Sequence, residues 1–167
     1  MEIFVWAYLG GLLGAILMDA VEKLAAKAGI TSGVSVALVG RWFLWLVHGR
    51  LLHTNIVGAK PYPREAQAGW AFHFLLGGGG VALFYPFFFH ALGGGTPLEH
   101  LLGGVCFGLA SSLLPWFVLL PSFGWGIAGW RGPPGARPLL ASPLSHLFYG
   151  LGVGVMGALG ALNRQLS

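Results

Sequence analysis

Charge is what this sequence has least of. Nine basic and five acidic side chains make up only 8% of its 167 residues, against about a quarter in an ordinary soluble domain. So few charges cannot clothe a soluble particle of this size. Disorder is excluded on the opposite ground, because 56% of the chain is hydrophobic and disordered segments are polar and strongly charged. Cysteine is nearly absent. A lone Cys106 forbids an intramolecular disulfide and a cysteine metal cluster, and inside an apolar run it reads as a small core residue. The phosphate-cradling GxxxxGK[ST] motif, the CxxCH haem motif and paired zinc-ligand spacings are also missing. Their absence removes the sequence grounds for an ATP-driven pump, a covalent haem or a structural zinc site.

What remains is long apolar runs and a mean hydropathy of +0.75. Four runs reach the roughly 20 residues that a helix needs to cross a hydrocarbon core: 3–20, 67–92, 98–120 and 143–162. A fifth stretch, 33–47, is shorter and carries Arg41 near its middle, so it is expected to lie along the interface. The fold class is therefore all-α, a single polytopic bundle of four spans with one interfacial amphipathic helix. Glu2 stands where a secretory signal has positive charge, and no A-x-A site follows, so 3–20 is read as a retained span.

The net charge of +4 does not point to nucleic acid, because the basic residues form no stripe. Topology explains them better. With four spans, 21–66 and 121–142 share a side and hold eight of the nine basic residues, leaving Arg164 opposite. The positive-inside rule then puts both long connections in the cytoplasm and both termini outside it. Little extramembrane structure is expected. Trp42 and Trp45 are read as interfacial anchors, Pro86 and Pro115 as bends, and Gly77–Gly80 as a soft or ligand-approachable segment.

Glycine repeats at spacing four in Gly10/Gly14, Gly104/Gly108 and Gly150/Gly154, which makes smooth helix strips for close packing, within the bundle or against a partner. Ionisable residues in membrane spans are functional suspects by default. The antiparallel topology brings Asp19, His73 and His146 toward the cytoplasmic face. Arg41 and His48, one heptad apart, are expected over them. This cluster is a ligand or proton site, or simply bonds the bundle together, while Asp19 with Lys23 reads equally as a solvated helix-end pair. Two imidazoles and a carboxylate suit zinc or iron, so His73 and His146 are the metal candidates. His73, His100 and His146 each have a glycine four residues on, as a bis-histidine haem would use. No cofactor is predicted from these patterns, haem or a metal being the weaker alternatives. Ser111 and Ser112 lie mid-span with no base expected nearby, so nucleophilic catalysis is not read here.

Met18-Asp19, Val39-Gly40-Arg41-Trp42, Gly58-Ala59-Lys60, Gly69-Trp70 with His73, Pro121 to Gly126, and His146 with Tyr149-Gly150 together resemble a family of small bacterial inner-membrane proteins of unknown function. The resemblance covers nearly the whole chain. It implies a polytopic helical fold and an inner-membrane address, and it picks out Asp19, Arg41, His73 and His146. It brings no reaction or cofactor. Leu120 stands where that family often has glutamine, so no polar role is carried over to it.

The expected function is a non-enzymatic membrane subunit docking on a membrane-protein partner or a second copy through its glycine faces, in contact with the lipid bilayer. The alternatives are a proton- or cation-coupled carrier or channel using Asp19 and the histidines, and a haem-binding electron-transfer subunit.

Overall fold

The computed structural model describes residues 2–91 and 95–166. Among them the chain is all helical. Four helices are long and apolar enough to cross a membrane: α1 Glu2–Lys27, α3 Glu65–His90, α4 Pro97–Ser122 and α5 Pro138–Leu166. At 1.5 Å per residue, 26 residues reach about 39 Å, more than the roughly 30 Å of a hydrocarbon core. Helix α2, Val36–Val47, has 12 residues and is too short to cross. The expected end of the second span at Leu92 lies outside the described residues.

Two helices overrun their expected bounds. Helix α1 continues to Lys27 because Glu22 to Lys27 are good helix formers and nothing stops the helix before Gly29. There, φ is +73°, and Ile30 N–H bonds to Ala25 O while Gly29 N–H bonds to Ala26 O, a Schellman stop that glycine alone adopts without strain. Helix α5 starts at Pro138, not Pro143, which sits inside it. The ring of Pro143 deprives the Leu139 carbonyl of its helical donor. Leu139 and Leu140 are exposed, so the loss falls where the backbone is accessible.

Helix α5 is the axis of the bundle. Helices α1 and α4 lie along it, α3 packs on α1, and α2 packs on α3. Glycine permits these approaches. A Cβ at Gly104 would come 2.5 Å from Gly154 Cα, one at Gly108 2.6 Å from Gly150 Cα, and one at Gly10 2.9 Å from Val153 Cα. Gly14 abuts Tyr149 O and Gly150 abuts Gly104 O, while a Cβ at Gly154 would stand 2.7 Å from His100 O. All six glycines thus face neighbouring helices of the same chain. Between the helices lies a core of Met18, Ala82, Tyr85, Phe89, Phe107, Tyr149 and Val153.

Helices α3 and α4 are interrupted. Each contains a π-helical stretch, Phe72–Gly80 and Pro115–Leu119. Helix α3 also breaks into a turn at 83–84, just before Pro86, whose ring would meet the Ala82 carbonyl of a regular helix.

The connections are more structured than expected. Residues 48–64 and 123–137 fold over one end of the bundle as a cap with its own core: Trp42, Ile56, Leu120, Phe123 and Trp125. His53 N–H bonds to Ser122 O, Ile56 N–H to Phe123 O, and Arg137 N–H to Thr31 O. Trp42 is therefore a core residue, 5% exposed, and not a surface anchor. Its indole N–H donates to Leu51 O, as that of Trp45 does to Lys60 O. Leu120 is buried in the same core, consistent with its apolar identity.

Candidate functional site

Beneath the cap, α1, α3 and α5 converge. Asp19 and Glu22, three residues apart on α1, share a helix face. His73 comes from the start of the π-helical stretch of α3. Ser142, Ser145 and His146 come from α5. These side chains line a cleft of about 400 Å³.

Asp19 Oδ1 stands 3.0 Å from His73 Nε2. The short contact of Asp19 is thus with His73, and no ion pair with Lys23 is found among the described residues. The nitrogen is nevertheless buried and makes no hydrogen bond of acceptable geometry. Aromatic edges hold the ring instead: the Trp70 and Phe74 centroids lie 5.9 and 5.1 Å from that of His73. Packing, rather than the carboxylate, sets its orientation. Glu22 is exposed at the mouth, beside Ser145 and within electrostatic reach of Asp19 and His73.

His146 lies 2.8 Å through Nδ1 from Ser111 Oγ, so a base does stand beside that serine. Helix α4 delivers Ser111 to the face of α5 because Gly108, one turn earlier, lets the two backbones meet. The Ser111 hydroxyl donates to Gly108 O at 2.7 Å, as serine in a helix does. With the hydroxyl proton on that carbonyl, the hydroxyl accepts from His146, which assigns the proton to Nδ1 and the acceptor role to Nε2. With its proton turned to a carbonyl, Ser111 is not poised as a nucleophile toward this imidazole.

Arg41 and His48 do not cover the cluster. The Arg41 guanidinium grips Glu65 bidentately, Nε to Oε2 at 2.9 Å and Nη2 to Oε1 at 2.8 Å. Its Nη1 donates to the carbonyls of Ile56, Val57 and Ala59. The Glu65 carboxylate raises the Arg41 pKa still further above its ordinary value. Helix α2 is turned this way because Gly40 and Gly69 let it press onto the start of α3, which aims the neighbouring Arg41 at Glu65. His48 is the C-cap of α2, exposed, with Nδ1 2.7 Å from Leu44 O and its ring stacked on Tyr62. A seven-residue spacing gives a shared face, but not the direction in which that face looks.

Among the described residues, no group of three or more His, Cys, Asp or Glu side chains is arranged to hold a metal ion. The two-histidine, one-carboxylate expectation for Asp19, His73 and His146 therefore finds no ligand sphere. A flat macrocycle does not fit beside His146 or His100, since Gly150 and Gly104 are pressed against each other's backbone. His100 itself is stacked on Phe89 at 3.8 Å between centroids and bonded to the Tyr85 hydroxyl.

Against this geometry, one comparison with known proteins decides the family. A family of proteins of unknown function, DUF2938, matches residues 9–160. The chain belongs to that family. The matched region carries every residue of the cleft named above. No curated protein and no solved structure matches the chain. Sequence reasoning missed Glu22 and Ser145. The signal was available for Glu22, one turn beyond Asp19 on the same face. For Ser145, adjacency to His146 concealed that a neighbouring position on α5 faces α1.

Proposed function

We propose that this chain is a non-enzymatic integral protein of the bacterial inner membrane that binds a small cationic solute at the capped end of its bundle. The observation that carries the reading is the Asp19–His73 contact, with Glu22 at its mouth, in a cleft of about 400 Å³. Two carboxylates face one Lys23, so the fixed charge favours a cation, and a partly buried carboxylate attracts it more strongly than one in water. The distribution of Lys and Arg supports a cytoplasmic cap and outward termini, so the solute enters from the cytoplasm. Helix α2, too short to span, lies along that interface.

Docking through the six glycines has less support, because each already faces another helix of its own chain. Binding is favoured over turnover by the direction of the Ser111 hydroxyl proton. The test is a titration of protein labelled with 15N-histidine, in nanodiscs, with n-butylamine. A saturable shift of His73 that Asp19→Asn abolishes, with helicity unchanged, is the expected result. Absence of a saturable shift, or its persistence in Asp19→Asn, overturns the reading.

A further inference from the structure

A second cleft of about 280 Å³ opens from the first. The two share Met18, Val39, His73, Pro115, Leu119 and His146. Beyond this junction the walls change character. Ala15, Trp42, Phe72, Val81, Leu114 and Val118 are apolar, and the cleft runs beside both π-helical stretches. One compartment is therefore polar with an excess of carboxylate, and the other is greasy. The two imidazoles stand between them.

The four-glycine run shows that this second space is open. Gly78 and Gly79 are packed: a Cβ at Gly78 would come 2.9 Å from Gly11 O, and Gly79 abuts the Tyr8 ring. Gly77 is different. Among the described residues, a Cβ there would meet only Phe72 O, at 3.6 Å, and Gly77 lines the apolar cleft. No neighbouring helix requires glycine at 77. What its missing side chain leaves is volume next to His73 and His146. The volumes of the two compartments together fall in the range of about 300–1,000 Å³ typical of small-molecule sites.

We infer that the joined clefts bind an amphiphile, its ammonium head among Asp19, Glu22 and His73 and its alkyl tail in the apolar cleft beside Gly77. This rests on the cation-binding reading above and names the ligand class for the same site. A soluble cation has no use for the second compartment, and a neutral hydrocarbon has none for the first. The buried His73 Nε2, in contact with Asp19 but without a hydrogen bond, leaves the Asp19 carboxylate short of a well-aligned donor. An ammonium N–H supplies one.

The experiment uses full-length protein labelled with 15N-histidine in phosphatidylcholine nanodiscs, with n-butylamine and dodecylamine as probes. Butylamine is expected to shift His73, and dodecylamine both His73 and His146. Gly77→Leu adds a side chain at the wall of the apolar compartment, where its Cβ meets no described atom closer than 3.6 Å. It should weaken dodecylamine binding by about tenfold and leave butylamine binding unchanged. Gly80→Leu serves as the matched control, because Gly80 is also open to a Cβ but does not line the cleft, and it should change neither. Val118→Trp closes the same space from α4 and should reproduce Gly77→Leu. Equal dodecylamine binding in wild type, Gly77→Leu and Val118→Trp would overturn the inference while leaving butylamine binding intact. Loss of the butylamine response in the wild type would instead remove the underlying reading. Raising the mole fraction of phosphatidylethanolamine distinguishes the source. A matching shift of both histidines assigns the amphiphile to the leaflet, and a response to dodecylamine alone assigns it to a free long-chain amine.

Discussion

His53 is buried in the cap at 6% exposure, and neither ring nitrogen makes a hydrogen bond of good geometry among the described residues. Enclosure of this kind disfavours the charged imidazole. Burial pushes its pKa below the ordinary histidine value, against a partial offset from the backbone of Ser122 and Leu51, and the nearby Arg50 adds to the lowering. The sign follows from linkage. The unfolded chain takes up the proton near pH 6.5 and the folded cap resists it, so stability is complete above that pH. It is lost as pH falls through the lower folded value. Thermal unfolding of the cap followed by tryptophan fluorescence should therefore show a falling midpoint between pH 7 and pH 5. His53→Phe should flatten that slope. Asp19 and His73 show what was legible at this scale, since antiparallel helices fix depth, and depth alone brought the two together. The bond from Ser111 to His146 was not legible, because it depends on how closely α4 and α5 approach, which Gly108 and Gly150 decide jointly.

At the scale of the element, one residue of α2 reaches two other parts of the chain at once. Arg41 bridges α2, the start of α3 and the carbonyls of the 56–59 turn. Its contact with Glu65 is largely shielded, with side-chain exposures of 13% and 16%. Removing one member of such a pair leaves a poorly solvated charge, at a cost of about 3 kcal/mol. Glu65→Gln should lower the midpoint of thermal unfolding accordingly. Arg41→Lys keeps the charge but loses the planar fork, so limited proteolysis should then cut 48–64 while the long helices stay intact. The existence of α2 was legible from its apolar run. Its start at Val36 was set by Ser35, whose side chain accepts the Leu38 N–H, a local cap that the hydrophobic run alone does not mark. The π-helical stretches were not legible as such, although Gly77–Gly80 and Pro115 marked where regular helix would fail.

For the whole molecule, four membrane-length helices were readable because hydrocarbon thickness sets a length that few other constraints imitate. The cap was not. Its core joins 34–59 to 116–125, a pairing far apart in sequence, and its tryptophans and phenylalanines are just as suited to a bilayer interface. The topology itself can be tested with single cysteines in a Cys106→Ala background. A cysteine at Lys60 should resist a membrane-impermeant maleimide added to the outside of spheroplasts, and one at Arg164 should react.

The cap core also imposes an order on biosynthesis. Trp42 and Ile56 leave the ribosome well before Leu120, Phe123 and Trp125, the residues that enclose them. Until α4 has been made, a half-synthesised chain displays the apolar surface of Trp42 and Ile56 without its partners. Only a chain that has made α4 and the residues after it can hide that surface. Completion of the cap thus distinguishes a finished chain from a truncated one, in which Trp42 and Ile56 lack the neighbours that enclose them.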